Sequence, residues 1–224
     1  MSKKIKALLV LLVLVLAAAG ASAYAYQAER TPEYALEQLG MAVTKRDGDA
    51  VARYVNIDSV VTQAYDESTQ LLAQDIVHLH QLYPKDWFFR HDTAFMKDYI
   101  AGRRDDDLVF IHRCLEFCGD ENLTPIGLRD GQAKWLSDEA VKFRDNYTVR
   151  IDDIRTQGKT AEAVLVFTGK DTDYGHLVPE LTAKVELTQQ SDGHWQIQRF
   201  TNVSDMFYPL VKGIEDYWTL QGWQ

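Results

Sequence analysis

Cys114 and Cys118 are the only cysteines of the chain, and their spacing leaves two chemistries open. In a regular helix, residues four apart hold their Cβ atoms about 5–6 Å apart, wider than the roughly 3.5–4.5 Å of a disulfide. A bridge therefore needs the helix to end there, and Cys118-Gly119-Asp120 reads as a helix stop. The other reading is two buried thiols filling one helix face. The spacing is not the C-x-x-C of redox sites, and no second pair is present for zinc. His78 and His80 fall two apart on a helical segment, where they point to different sides and cannot chelate one ion as an i, i+4 pair could. His91, His112, His176 and His194 read as surface or satisfied core residues. Asp171-Thr172-Asp173-Tyr174-Gly175 imitates the start of a calcium loop, but the place of the bidentate Glu is taken by Thr182. No nucleophile-elbow, zincin or phosphate-loop motif is present. The expected cofactor and metal complement is none.

Aromatic side chains carry the other signal. Trp87, Phe88 and Phe89 sit in a turn between helices, while Phe207, Tyr208, Tyr217, Trp218 and Trp223 crowd the C-terminal stretch. One reading is core packing. The functional one is an interaction patch of Trp87, Phe88, Phe207, Tyr217 and Trp218 that docks on a partner or a membrane surface, since exposed aromatic clusters mark interfaces. Three of the four asparagines (Asn122, Asn146 and Asn202) stand in N-x-S/T sequons. Asn146 and Asn202 border expected strands, so the sequons read as coincidence.

Location is written at the N-terminus. Lys3, Lys4 and Lys6 precede an uncharged run from Ala7 to Tyr26, the pattern that engages the secretion machinery. Two readings compete for residues 1–26. Ala7 to Leu16 has the length of a signal-peptide core, followed by A-x-A sites ending at Ala21, Ala23 and Ala25. The same run of 20 residues can also span a hydrocarbon core of about 30 Å, with Tyr24 and Tyr26 at the outer interface. The protein is thus expected outside the cytoplasm, anchored by residues 7–26 or secreted after cleavage near Ala23.

The remaining residues, 27–224, suit one α+β domain. The formal charge is −9; without the three leader lysines, 21 basic face 33 acidic residues, giving −12. Nucleic acid and anionic lipid both repel such a domain. Thr31 with Pro32 starts a first helix, whose Leu36, Leu39 and Val43 form an apolar face. A short helix follows from Ala50 to Val55. Asp58 is placed to cap a third helix that Pro84 ends. Trp87 to Phe117 divides into two helices at Gly102, with Asp105, Asp106 and Asp107 a solvated helix start. After a loop and a helix over Trp135 to Phe143, alternation replaces helical periodicity. Strands are expected at Tyr147 to Asp152, Ala161 to Thr168, Leu177 to Leu187 and His194 to Phe200, the last two joined by a turn at Ser191-Asp192-Gly193. Ser204 to Leu220 closes as an amphipathic helix. The fold expected is a helical N-terminal half packed on a curved antiparallel sheet of about four strands, with that C-terminal helix.

Thr31-Pro32-Glu33-Tyr34-Ala35-Leu36, Arg46-Asp47-Gly48-Asp49 and Asn56-Ile57-Asp58 together resemble the start of nuclear transport factor 2-like domains. Asp192-Gly193-His194-Trp195-Gln196-Ile197 is similar to that superfamily's final hairpin. The likeness covers roughly Thr31 to Asp58 and Tyr147 to Asn202, and it is nearest to bacterial families that carry such a domain behind one apolar N-terminal segment. It departs in the long helical stretch from Ser68 to about Phe143 and in the C-terminal helix. The resemblance implies a cone that is a catalytic pocket in isomerases and dehydratases and a packing surface in non-catalytic members. No catalytic position carries over. The expectation is a non-enzymatic domain of the bacterial cell envelope that binds a protein partner or a small apolar ligand. The alternatives are an isomerase or dehydratase with an Asp/His or Asp/Tyr pair in an open cone, and an accessory structural subunit of an envelope assembly.

Overall fold

A computed structural model of the chain describes residues 29–119 and 130–222. The N-terminal leader, the Asn122 sequon and Trp223 lie outside them. Six helices and one antiparallel sheet follow in order: α1 (Pro32–Lys45), α2 (Gly48–Tyr54), α3 (Ile57–Leu82), a 3₁₀ turn (Phe88–Arg90), α4 (Thr93–Gly119), α5 (Asp130–Asn146), β1 (Tyr147–Gln157), β2 (Thr160–Gly169), β3 (Glu180–Gln189), β4 (Trp195–Phe200) and α6 (Val203–Leu220). This is the expected α+β arrangement, with a helical first half, a curved four-stranded sheet and a C-terminal helix.

Local chemistry sets the starts of the first three helices. Thr31 Oγ1 accepts from Tyr34 N at 3.2 Å, with Pro32 next in the first turn, where its missing N–H costs nothing. Asp47 Oδ1 does the same for α2, accepting from Ala50 N at 3.0 Å. The cap of α3 is Asn56, whose Oδ1 accepts from Ser59 N at 3.2 Å, and not Asp58. Asp58 lies inside the first turn, where its charge suits the helix dipole.

Gly102 does not break the chain: Thr93 to Gly119 is one helix of 27 residues. The charged run survives in mid-helix because it meets partners across an antiparallel seam with α3. Arg104 grips Asp66 through Nε at 2.7 Å and Nη2 at 2.8 Å, and Tyr65 donates to Asp107 at 3.0 Å. Burial and Asp107 together push the Tyr65 phenol up to about 12. Farther along, Met96 of α4 packs with Ile76 and Leu79 of α3, all fully buried. Asp107 is therefore part of the seam, and only Asp105 and Asp106 are solvated.

The strands run in sequence order, β1-β2-β3-β4. Both edge strands carry a register shift, in β1 between Ile151 and Asp153 and in β4 opposite Glu186/Leu187; such bulges bend a sheet. One face bears Ala161, Ala163, Val185, Leu187, Trp195 and Ile197, covered by Ala35 and Leu36 of α1. Farther along, Ala183 on that face packs against Val203 and Met206 of α6. The opposite face carries pairs such as Arg199–Glu186 at 2.8 Å. The extra residue of the β4 bulge is Gln198. Its carbonyl accepts from Ser59 Oγ at 2.8 Å and its amide oxygen from Asn56 Nδ2 at 2.9 Å. On either side, Asn56 N donates to Ile197 O at 2.8 Å and Phe200 N to Gln63 Oε1 at 3.1 Å.

Asn202 is buried, its Oδ1 accepting from Lys184 N at 2.8 Å and its Nδ2 donating to Thr182 O at 2.9 Å. Its amide is spent on the sheet, which bars it as a glycan acceptor in the folded chain. Replacing it by aspartate puts a carboxylate oxygen against the Thr182 carbonyl. Asn202→Asp is expected to lower unfolding free energy by about 2–4 kcal/mol in denaturant titrations; a change within about 0.5 kcal/mol contradicts the assignment.

Candidate functional site

Pro84 cannot continue α3, and the chain turns at Tyr83. Asp86 Oδ1 accepts from Phe88 N at 2.6 Å, fixing the 3₁₀ turn. Phe89 points inward to the core of Ile76, Leu79, Met96 and Phe207, with its ring 6.0 Å from Tyr83. The turn thereby directs Trp87 outward, 71% exposed. From there a ladder of rings leads onto α4, where Phe95, Tyr99 and Arg103 fall at a spacing of four, the period that brings side chains onto one helix stripe. Trp87 meets His91 edge-on at 6.4 Å, His91 stacks on Phe95 at 3.9 Å, and Phe95 stacks on Tyr99 at 5.9 Å. Arg103 closes the ladder with its guanidinium carbon 5.7 Å from the Tyr99 ring centre. Phe88, half-buried, touches Trp87, His91 and Tyr99 from below at 5.8–6.4 Å. Phe95 and Tyr99 remain 44% and 39% exposed.

The five patch residues expected from sequence thus do not form one surface. Trp87 and Phe88 belong to the ladder. Phe207 is 7% exposed and lies in the core beneath the turn. Tyr217 and Trp218 sit near the end of α6, where Tyr217 packs on Phe143 at 5.9 Å. Buried Glu139 organises that second cluster, accepting from Lys142 at 2.6 Å and from the Tyr174 hydroxyl at 3.1 Å. Cys114 is half-buried on α4, and the side chain of Cys118 lies outside the described residues. The ladder residues His91, Phe95, Tyr99 and Arg103 escaped sequence reading because each is a single residue with no local cluster, and His91, ahead of α4, meets Phe95 only once the chain turns.

A carboxyl pair braces the turn from behind. Glu215 of α6, 7% exposed, shares a hydrogen bond with Asp86. Burial, then the bond to Asp86 and the charges of Asp86 and Asp216, push Glu215 up to about 7. Tyr83 and Lys212 stand by the same pair.

At the other end of α3 a second polar group gathers. The β3–β4 hairpin tip meets α1 and α2 around a cavity of about 220 Å³ lined by Glu29, Arg30, Tyr34, Arg53, Tyr54, Asp192 and His194. Asp192 engages His194 Nδ1 and lies 3.5 Å from Arg53 Nη2. The bond to His194 holds the Asp192 carboxyl below its ordinary value. Tyr54 meets the His194 ring edge-on at 6.4 Å. Gly193, at φ +94°, lets Arg30 lie against the backbone: a Cβ there would stand 2.8 Å from its guanidinium. In the sequence these residues announce only a turn.

No family model matches the chain, and no curated protein matches it. Among solved structures, a de novo designed protein with a curved β-sheet matches at a TM-score of 0.21 and 13% identity, over 30% of this chain. The chain spans 60% of that protein's length. A likeness of this size bears on neither family nor function. Among the described residues, no helix is long and apolar enough to cross a membrane, and no three His, Cys, Asp or Glu side chains converge as metal ligands.

The carboxyl pair makes stability depend on pH in a definite direction. With Glu215 raised from its ordinary 4.5 to about 7, the native state binds a proton that the unfolded chain has released over that window, so stability falls as pH rises through it. Glu215→Gln keeps the hydrogen bond to Asp86 and removes the titration. The melting temperature of the variant is expected to exceed the parent's at pH 8 and to match it near pH 5; an equal offset at both values contradicts the shared proton.

Proposed function

We propose that the chain is a non-enzymatic, extracytoplasmic domain of the cell envelope that binds a protein partner through the ladder of Trp87, His91, Phe95, Tyr99 and Arg103. The observation that carries this reading is that rings stacked in register are held out in solvent by a turn whose neighbour, Phe89, is buried. Leaving such apolar surface in water is unfavourable, and interfaces are enriched in aromatic residues and arginine. A partner that inserts apolar or arginine side chains between the rings would gain both burial and cation–π contacts. The acidic charge of the domain favours a partner with a basic rim.

One further point supports this reading over an isomerase or dehydratase. The helix-covered face of the sheet, where a cone-shaped site would open, is filled by Ala163, Val185 and Leu187, each at most 1% exposed. Helices first and a curved sheet last is also the order of nuclear transport factor 2-like domains, and a filled face is the arrangement of the non-catalytic members, which use this surface for packing. The basic start and apolar run of residues 1–26 support export.

A photo-crosslinking amino acid placed at Phe95 in the full chain in cells is expected to give a discrete protein adduct. Placed at Lys159, exposed on the β1–β2 turn far from the ladder, it should give none. Trp87→Ala should cut the Phe95 adduct about tenfold or more, as loss of a central aromatic anchor does. Equal adducts at both positions, or none at Phe95, contradict the assignment.

A further inference from the structure

The cavity at the hairpin end of the molecule has the composition of a binding site for a zwitterion. Its cationic side is Arg30, Arg53 and His194, and its acidic side is Glu29 and Asp192. Asp192 is already engaged by Arg53 and His194, which leaves Glu29 as the carboxylate for a ligand's cation. With Nδ1 on Asp192, Nε2 is the ring nitrogen of His194 left for a ligand. Burial, then the neighbouring Glu29 and Tyr54, raises the Tyr34 phenol, so its hydroxyl stays a hydrogen-bond donor. The walls offer the tyrosine faces of Tyr34 and Tyr54, on which an ammonium rests well. The volume of about 220 Å³ is that of several waters at about 30 Å³ each, enough for a headgroup and too small for a drug-sized apolar ligand.

Position in the chain identifies the source. Glu29 lines the cavity and Trp195 Nε1 donates to Arg30 O at 2.8 Å, pinning the chain there. The segment read as a membrane span ends at Tyr26, and the three residues to Glu29 can reach no farther than about 10 Å. With that run embedded in a bilayer, the cavity is held at the headgroup layer, which adds about 5–7 Å to each side of the hydrocarbon core. The domain's charge of −12 opposes a surface of anionic lipid, and a headgroup of zero net charge escapes that repulsion.

We propose that this cavity binds the phosphoethanolamine headgroup of a membrane lipid, its phosphate on Arg53, His194 and the tyrosine hydroxyls and its ammonium on Glu29. The lipid source rests on the anchored reading of residues 7–26; the zwitterion site does not. The soluble probe is glycerophosphoethanolamine, a phosphodiester of zero net charge like the lipid headgroup, titrated into the full chain in neutral detergent while the His194 ring is followed by NMR. A saturable shift is expected, at least tenfold weaker with inorganic phosphate, absent with ethanolamine, and at least tenfold weaker in Arg53→Gln. Arg53 is half-exposed, so this variant folds; unchanged resonances of the buried Trp195 indole check that it does. No saturable shift, equal affinity for inorganic phosphate, or unchanged affinity in Arg53→Gln overturns the site. Nanodiscs then test the source: phosphatidylethanolamine should shift the His194 ring where phosphatidylcholine does not. Binding of the free probe without that difference overturns the lipid. Recovery from cells of a chain lacking residues 1–26 overturns the anchor, and with it the lipid, while the probe titration still decides the site.

Discussion

The outer edge of β4 is the constraint on which the rest of the structure depends. An edge strand presents unpaired backbone groups, and a bulge adds a residue with no cross-strand partner. Here both demands fall on the junction of α2 and α3. Asn56 caps its own helix with Oδ1, gives its backbone N–H to Ile197, and gives Nδ2 to Gln198, while Ser59 and Gln63 complete the edge. The first two turns of α3 are thereby fixed against the sheet in position and direction. Everything farther along that helix inherits its placement from them.

At 26 residues, α3 is about 39 Å long, and it separates two chemically different ends. At its start lie the hairpin tip, the first described residues and the cavity of Arg53, Asp192 and His194. At its finish lie Pro84, the turn and the ring ladder. The seam with α4 is polar near the sheet, through Tyr65–Asp107 and Asp66–Arg104, and apolar near the turn, through Ile76, Leu79 and Met96. Dispersion and burial hold the ladder end, whereas hydrogen bonds set the register of the other. Glu215 adds α6 as a brace behind the turn. A domain tethered at its N-terminus would present the ladder away from its tether.

Much of the architecture was legible because it rests on short-range chemistry. Thr31-Pro32, Pro84 and Ser191-Asp192-Gly193 each mark a turn or cap by mechanism, and the alternation from Tyr147 onward marks all four strands, although β1 runs on past Asp152 to Gln157 and β3 starts at Glu180 rather than Leu177. What failed was non-local. Gly102 beside five charges reads as a break, and only the partners Asp66 and Tyr65 on another helix make it a continuous one. Phe207 looks like a surface aromatic until Phe89 folds under it. The cavity residues come from Arg30, Arg53 and Asp192, three segments that no local pattern links. Trp87 and Phe88 were found because a cluster of rings in a turn is a local signal; the rest of the ladder is single side chains that the turn before α4 brings into a stack.

α3 is a rigid bar between those ends. The most direct test is a spin–spin distance measurement between labels at Lys85, before the ladder, and Ser191, at the hairpin tip, with Cys114 and Cys118 replaced by serine. A rigid α3 gives a single narrow distribution on the order of 40 Å, unchanged when the full chain is moved from detergent into lipid. A broad distribution, or one centred well below about 25 Å, less than two thirds of the helix length, would mean that α3 is bent or mobile and that the two ends are not held apart.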